Sequence, residues 1–426
     1  MNALVQFNNR HMRTIVWVMR IAIGAVFIVS GLAKAIDPWG TIYKMEQYLN
    51  VWGLPDVRSL VIVASVALSS VEFLLGALLL TGSYRRSAPL LLLAVMAFML
   101  PLSGYIALYN PVADCGCFGD FLIISNTATF VKNVFITAAL VYLFIYNRRV
   151  GGLYNPYLQW IEVVLLASYV LLVAVHGYSI QPLVDFRPYK VGTPLIMSQD
   201  DGDDAEYAFL YEKDGEQRQF DIDNLPDSTW AFVDRVAIGG EVNDSRTLTL
   251  YDADEDVTDL AITGNGDELI MFIPEIKNVD IANTYLINEI ERKIDAGGGR
   301  FIAVIAADDE GVEVWKDIAL ADYPVYTAED TAIKEVARGN ISLVYLRDGV
   351  IVWKRTLGSM MRNPVIMSDA AVWLPMHEFN GHHRLLVYSC VLIGLLLLLW
   401  GVNRGGHAVK WLLYRKNKNK SVTLQD

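Results

Sequence analysis

Residues 385–400 read LLVYSCVLIGLLLLLW. No charge interrupts them, and as a helix they would extend about 24 Å at 1.5 Å per residue, against roughly 30 Å of bilayer hydrocarbon. A helix packed on a soluble core keeps one polar face, and this stretch has none. Five earlier blocks share the pattern: 14–36, 59–80, 88–108 (with Pro101 inside), 128–145 and 157–175. Each is close to the roughly 20 residues a spanning helix needs. The first lacks a small-residue cleavage site with a clear exit, so it reads as an anchor and not as a removed signal peptide. Across 426 residues, 54% are hydrophobic and only 19% charged, below the roughly 25% charged fraction of soluble domains. The expectation is six spanning helices.

Basic residues orient them. Arg10 and Arg13 precede the first span, Arg85 and Arg86 follow the second, and Arg148 and Arg149 follow the fourth. Arg404, Lys410, Arg415, Lys416, Lys418 and Lys420 follow the sixth. With six spans all of these fall on one side, which the positive-inside rule makes cytoplasmic. The expected placement is multi-pass in a bacterial inner membrane, with both termini cytoplasmic and residues 180–383 periplasmic. That segment holds 39 Asp and Glu against 17 Lys and Arg, or −22; with −12 overall, the remainder carries +10. So acidic a block would repel phosphate, which argues against nucleic acid. The partners expected are membrane lipid and other membrane or extracytoplasmic proteins.

The membrane part carries motifs. The first hairpin holds Arg20, Gly24, Phe27, Ser30, Gly31, Lys34, Asp37 and Pro38, then Lys44, Tyr48-Leu49 and Gly53-Leu54. The second span carries Glu72 and Gly76 and ends in Leu80-Thr81-Gly82. The third is followed by Asp114-Cys115-Gly116-Cys117-Phe118-Gly119-Asp120, and the fourth opens with Phe130-Val131-Lys132-Asn133. Together these resemble the DoxX superfamily and, within it, the MauE-like branch. The SG-x-x-K-x-x-DP stretch is moderately specific; CGCFGD followed by Lys-Asn is more so. The resemblance covers the first four spans, about a third of the chain. It implies a role around methylamine utilisation, in disulfide formation or maturation of a periplasmic enzyme alongside a thioredoxin-like partner.

The residues can also be read directly. Arg20 and Glu72 lie about 9 and 13 Å from the cytoplasmic ends of their spans by helical rise. An ion pair between them is therefore feasible, and an unpaired charge there would be expensive. Such a pair would fix helix register or relay protons. Cys115 and Cys117 fall on the oxidising side, where a disulfide is permitted. A ring closed through Gly116 would be strained and, if accessible, suited to thiol exchange. Lys34 and Lys132 lie near the same face and could lower a thiol pKa, with Asp114 and Asp120 partly opposing. The alternative is that the two cysteines only shape the loop. Two thiols with no nearby histidine make an incomplete metal set, and Cys390 reads as a small apolar residue within the last span.

The acidic block opens with a linker at 200–204 and short strands over 207–236, with turns at 213–215 and 226–227. From 247 to 354 strands and helices alternate: strands at 247–251, 268–273 (ELIMFI), 301–306 (FIAVIA) and 325–326, helices at 281–294, 311–318 and 328–338, and a closing hairpin of 342–346 and 350–354 around Arg347-Asp348-Gly349. This order resembles the thioredoxin-like fold. Yet Pro274-Glu275-Ile276-Lys277 stands where that family carries its redox cysteines, and Gly339-Asn340-Ile341 where it carries a cis-proline. A cysteine-free domain exchanges no disulfides; its expected use is docking, to its own membrane domain or to a client. It should sit close above the Cys115–Cys117 loop. His377, His382 and His383 cluster before the last span, but an interfacial cluster is more often incidental than a metal site. The acidic run 252–256 fails the calcium-loop rule, with Val257 where glycine is required.

The expected architecture is an α-helical membrane bundle with an α/β thioredoxin-like extracytoplasmic domain. The parts are a four-helix DoxX/MauE-like unit (1–150), a fifth span (151–179), an acidic β-rich segment (180–246), the thioredoxin-like domain and return segment (247–383), and a sixth span with a basic tail (384–426). Two functions compete. One is thiol–disulfide or electron transfer supporting maturation of envelope proteins, with Cys115 and Cys117 as the redox pair. The other is a non-catalytic scaffold whose outer domain binds envelope partners. No cofactor signature is evident; a quinone is compatible with the first function but nothing in the sequence supports it. Few polar residues lie at mid-membrane and no inverted repeat is evident, which disfavours transport.

Overall fold

A computed structural model describes residues 2–55, 57–112, 114–196, 206–213, 216–221, 231–239 and 248–422. For 2–10, for the strands between 206 and 239, and for 406–422 it describes the backbone elements alone. The expected acidic linker at 200–204 and the turns at 214–215 and 226–227 lie outside the described residues.

The chain begins with α1 (Asn2–Ile36), followed at once by α2 (Pro38–Val51). Residues 37–57, which join the first two expected spans, are therefore mostly helix. The reason is local: Asp37 accepts a hydrogen bond from Gly40 N at 3.1 Å as N-cap, and Pro38 supplies a preset first turn. Then come α3 (Arg58–Thr81), α4 (Ser87–Tyr109), α5 (Asn126–Tyr146) and α6 (Gln159–Ser179). Among the described residues, six helices are long and apolar enough to cross a membrane: α1 from His11, α3, α4, α5 with its short extension to Arg149, α6, and the last helix. This is a multi-pass membrane protein.

Small residues set the packing. A Cβ on Gly31 would lie 2.3 Å from Phe73 N, and one on Gly24 2.9 Å from Gly76 O. The backbones of α1 and α3 therefore touch along an antiparallel seam, as spanning helices do where glycine removes the side chain. That seam fixes register: Gly24 lies beside Gly76, and Gly31 beside Ser69 and Phe73.

Beyond the bundle, β1 (Glu206–Lys213), β2 (Glu216–Asp221) and β3 (Ala231–Gly239) form a three-stranded antiparallel sheet in the order β2-β1-β3. The second sheet begins with β4 (Tyr251–Asp252) and β5 (Glu255–Asp256), a small hairpin built from the acidic run. The strand expected over 247–251 contributes only its last residue. After α7 (Thr258–Ala261) come β6 (Asp267–Ile273), α8 (Thr284–Ala296), β7 (Arg300–Ile305), α9 (Asp309–Ala319), β8 (Val325–Thr327), α10 (Asp330–Val336), β9 (Ser342–Arg347) and β10 (Val350–Thr356). The order is β10-β9-β6-β7-β8-β4-β5; β6, β7 and β8 run parallel, and β9 and β10 antiparallel to their neighbours.

ELIMFI is apolar throughout because both its faces are covered. Leu269, Met271 and Ile273 pack with Ile287 and Ile290 of α8 and Trp315 of α9. Ile270 and Phe272 point to the other side, with Ile333 and Val336 of α10. This sheet, covered on both faces and closed by a hairpin, is consistent with a thioredoxin-like fold. The return path is α11 (Arg362–Met367), α12 (Ala370–Met376) and the long α13 (Gly381–Val422). α13 lies beside α6, with the Tyr169 and Ser389 hydroxyls 2.9 Å apart.

Candidate functional site

The Cys115–Cys117 loop is built by turn chemistry. Gly116 and Gly119 take positive φ, +67° and +57°, which glycine adopts without steric cost, and Gly119 N donates to Gly116 O at 3.0 Å. Gly116 N donates to Asp114 Oδ1 at 2.8 Å, and Asp114 Oδ2 pairs with Lys44 of α2 at 2.8 Å. Tyr48, also on α2, donates its hydroxyl to Cys115 O at 3.1 Å. The helix missing from the sequence reading thus holds the loop in place.

The two cysteines are free thiols with sulfurs 3.2 Å apart. Cys115 is buried and Cys117 half-buried, because the loop folds back onto α1, α2 and α4. The two thiols differ. A hydrogen bond from Cys115, aided by the ammonium groups of Lys132 and Lys34, outweighs burial and brings Cys117 down to about 7. The same hydrogen bond, together with burial, pushes Cys115 up. Of the two, Cys117 is the one drawn towards the thiolate, the nucleophilic form of cysteine.

Beneath the loop lies a buried polar cluster. Lys34 Nζ is 2.7 and 2.9 Å from the two Glu72 carboxylate oxygens and 3.1 Å from Ser30 Oγ. Ser30 Oγ is 2.7 Å from Glu72 Oε2 and 2.6 Å from Cys117 O, and its single proton serves one of them at a time. The cluster joins the loop to the α1–α3 seam. Lys132 stands on the other side, its ammonium 4.4 Å from the centre of the Phe118 ring.

The expected Arg20–Glu72 pair does not form. Glyglycine register explains it: Gly24 beside Gly76 sets Glu72 level with Ser30, about ten residues or 15 Å along α1 from Arg20. Arg20 instead donates to the Asn147 side chain, and to the carbonyls of Asn147 (2.9 Å), Val150 (3.1 Å) and Gly151 (2.8 Å). It caps the end of α5 and ties it to α1.

The α/β domain docks on this face of its own membrane domain. Arg338 donates to Asp37 Oδ2 from Nε at 2.9 Å and from its terminal nitrogen at 2.6 Å, and also to Asp120. Asp120 accepts in addition from Arg187, at 2.8 and 3.0 Å. Burial alone would raise the Asp120 pKa, but Arg338 and Arg187 hold it below the usual carboxylate range. Arg58 at the start of α3 pairs with Glu275 at 2.5 Å, and Gly339 N donates to the Tyr43 hydroxyl at 3.3 Å. Glu275 and Gly339-Asn340-Ile341 are the positions read as lacking redox cysteines and cis-proline. They face the membrane domain, and Asn340 joins them, bonding Glu275 N at 3.1 Å and Glu275 O at 2.9 Å. The domain therefore stands close to the cysteine loop, three residues past Cys117, as expected. Sequence reasoning noted Asp37, Asp120 and the 339–341 segment, but not Arg338, whose only signal is a lone cation just before that segment.

The histidines do not converge. His377 is buried with Nε2 accepting from Met361 N at 3.0 Å, while His382 and His383 are exposed. Among the described residues no group of three or more His, Cys, Asp and Glu side chains is arranged to hold a metal.

Residues 12–146 match the family described as methylamine utilisation protein MauE. Residues 205–238 match a domain of unknown function, DUF8463. Protein TlpB of Flavobacterium psychrophilum is 26% identical over 195 residues, covering 42% of this chain and 52% of the relative. The chain thus spans about half the length of the curated relative it matches. Residues 12–146 are a MauE-like membrane domain, joined here to an α/β domain consistent with a thioredoxin-like fold.

Proposed function

We propose that this protein is a thiol–disulfide redox component of a bacterial inner membrane that supports disulfide chemistry in envelope proteins. Cys117 is the nucleophile and Cys115 the resolving thiol. The observation that carries this reading is the asymmetric dithiol: two free sulfurs 3.2 Å apart, with Cys117 drawn down to about 7. In the reducing direction, Cys117 thiolate attacks one sulfur of a client disulfide and releases the other as a thiolate. Cys115, having lost its proton, then attacks Cys117 Sγ, closing the internal disulfide and freeing the client's second thiolate. Run backwards, the oxidised pair delivers a disulfide to a client dithiol. Lys132 and Lys34 favour the attacking thiolate. The basic segments support an orientation with both termini in the cytoplasm and the α/β domain in the periplasm. The resemblance to MauE supports a setting such as methylamine utilisation, where a periplasmic enzyme needs its disulfides made.

The test is trapping. In cells, Cys115→Ser should accumulate a mixed disulfide through Cys117 that reductant dissolves, and Cys117→Ser should not. If neither variant traps a partner, and the wild-type thiols stay reduced under an oxidant such as diamide, the reading is wrong.

A second reading is favoured by one observation: the positions where a thioredoxin-like domain would carry cysteines hold Glu275 and Lys277. In that reading the chain is a scaffold whose outer domain binds envelope proteins. A stoichiometric partner that co-purifies in mild detergent, and survives loss of both cysteines, would support it.

A further inference from the structure

Beside the two thiols lies an elongated cavity of about 290 Å³, at the small end of the roughly 300–1,000 Å³ typical of small-ligand sites. Its walls come from α2, α3, α4 and the cysteine loop. Its lining includes Cys115, Cys117 and Lys34, and also Trp52, Leu60 and Phe98. Those last three are 43%, 64% and 63% exposed, on flanks of the bundle that face lipid. The cavity follows α3 from Leu60 to Leu68, about 15 Å from the start of that helix by rise. Half the hydrocarbon thickness is also about 15 Å. The cavity therefore lies within one leaflet, lined both by the two thiols and by residues that face lipid.

Each feature narrows the occupant. Lipid-facing Trp52, Leu60 and Phe98 in the lining suit a molecule dissolved in the bilayer. An acyl chain would suit the walls but gives no use for the two thiols among them. A dithiol going to a disulfide releases two electrons and two protons, so its partner must accept both. Lys34, which also lines the cavity, keeps its ammonium on Glu72 and Ser30, so the two thiols are the reactive groups there.

We propose that this cavity holds the ring of a lipophilic quinone, which reoxidises the Cys115–Cys117 dithiol. Resting on the thiol-redox reading above, the inference names the electron acceptor of that site. In the step, Cys117 thiolate adds to the quinone ring. Cys115, deprotonated in turn, attacks Cys117 Sγ. The sulfur–sulfur bond forms, the sulfur–ring bond breaks, and the electron pair leaves with the ring. The two protons lost by the thiols end on the quinol oxygens. One dithiol and one quinone give one disulfide and one quinol.

The experiment uses the full chain in quinone-free lipid nanodiscs, reduced and then freed of reductant. Decylubiquinone is added, quinol is followed by absorbance and thiols by maleimide mass-tagging; diamide oxidation of the same sample is the reference. The expected result is one quinol formed per two thiols lost. Cavity-filling variants Ala64→Phe and Leu68→Trp, each checked for monodispersity, should lower the ratio of quinone to diamide rates at least tenfold. If diamide closes the disulfide but quinone does not, or if both variants keep the wild-type ratio, the quinone site is refuted while thiol exchange stands. If diamide closes no internal disulfide either, the thiol-redox reading itself falls.

Discussion

Arg338→Ala should loosen the α/β domain from the membrane domain. The substitution removes both hydrogen bonds to Asp37, the bond to Asp120 and the bond to the Lys334 carbonyl at 2.8 Å. The two carboxylates fare differently. Asp120 keeps Arg187 at 2.8 Å, whereas the hydrogen bond described for Asp37 after the loss is the one from Gly40 N at 3.1 Å. Asp37 is 6% exposed, so its charge is left buried and poorly paired. Removing one partner of a buried ion pair costs about 3–5 kcal/mol. At about 1.4 kcal/mol per tenfold, the docking equilibrium should weaken by roughly two to three and a half powers of ten. Hydrogen exchange by mass spectrometry on the full chain in nanodiscs reads this directly, in peptides covering 114–121 and 337–345. Both should lose protection together. Because the cost arises from the orphaned carboxylate, adding Asp37→Asn to Arg338→Ala should recover part of it. Protection unchanged within threefold in the single variant, or no recovery in the double variant, would refute the reasoning.

Alkylation of Cys117 in the Cys115→Ser background tests how much of its activation comes from Cys115; in the wild type, alkylation should rise through a midpoint near pH 7, slow below it where the thiol is protonated and fast above it. Lys132→Met removes a positive charge that favours the thiolate, so the wild-type midpoint should move up, and a midpoint near the ordinary thiol value of about 8.5 before that substitution would contradict the assignment. Glu72→Ala strands the Lys34 ammonium in the bundle and should cost about 3–5 kcal/mol in thermal unfolding of the detergent-solubilised protein, whereas replacing both (Lys34→Met with Glu72→Leu) should cost less; equal losses would show that the pair is not the relevant unit.

Much of the architecture is legible because it rests on one-dimensional signals. Charge-free runs give the spans, and ELIMFI with FIAVIA gives a sheet covered on both faces. What escaped needs a third dimension. Counting residues gave Arg20 and Glu72 similar depths, but depth along separate helices does not fix register. Gly24, Gly31 and Gly76 do, by deciding how far α1 slides along α3. The same slide brings Lys34, 2.7 Å away, to Glu72. The helix over Pro38–Val51 was missed although its Asp-Pro start signal was noted as a motif, because its apolar residues are divided between the bundle and the mouth of the cavity. The cysteine pair itself was plain in the sequence. Its asymmetry was not, since that depends first on which sulfur donates the hydrogen bond between them and then on how near the lysines lie.

The Arg338 clamp also bears on competition. The α/β domain is tethered to the bundle at both ends, through α6 and α13, so its docking is intramolecular. Tethered modules act at effective concentrations of the order of millimolar. A free protein present at about micromolar levels and binding the same Asp37–Asp120 surface equally well would lose that contest by roughly a thousandfold. The fused domain is thus a standing occupant of the surface beside the cysteine loop. Traffic with the cysteines is left to whatever dislodges Arg338, or to whatever enters from the side.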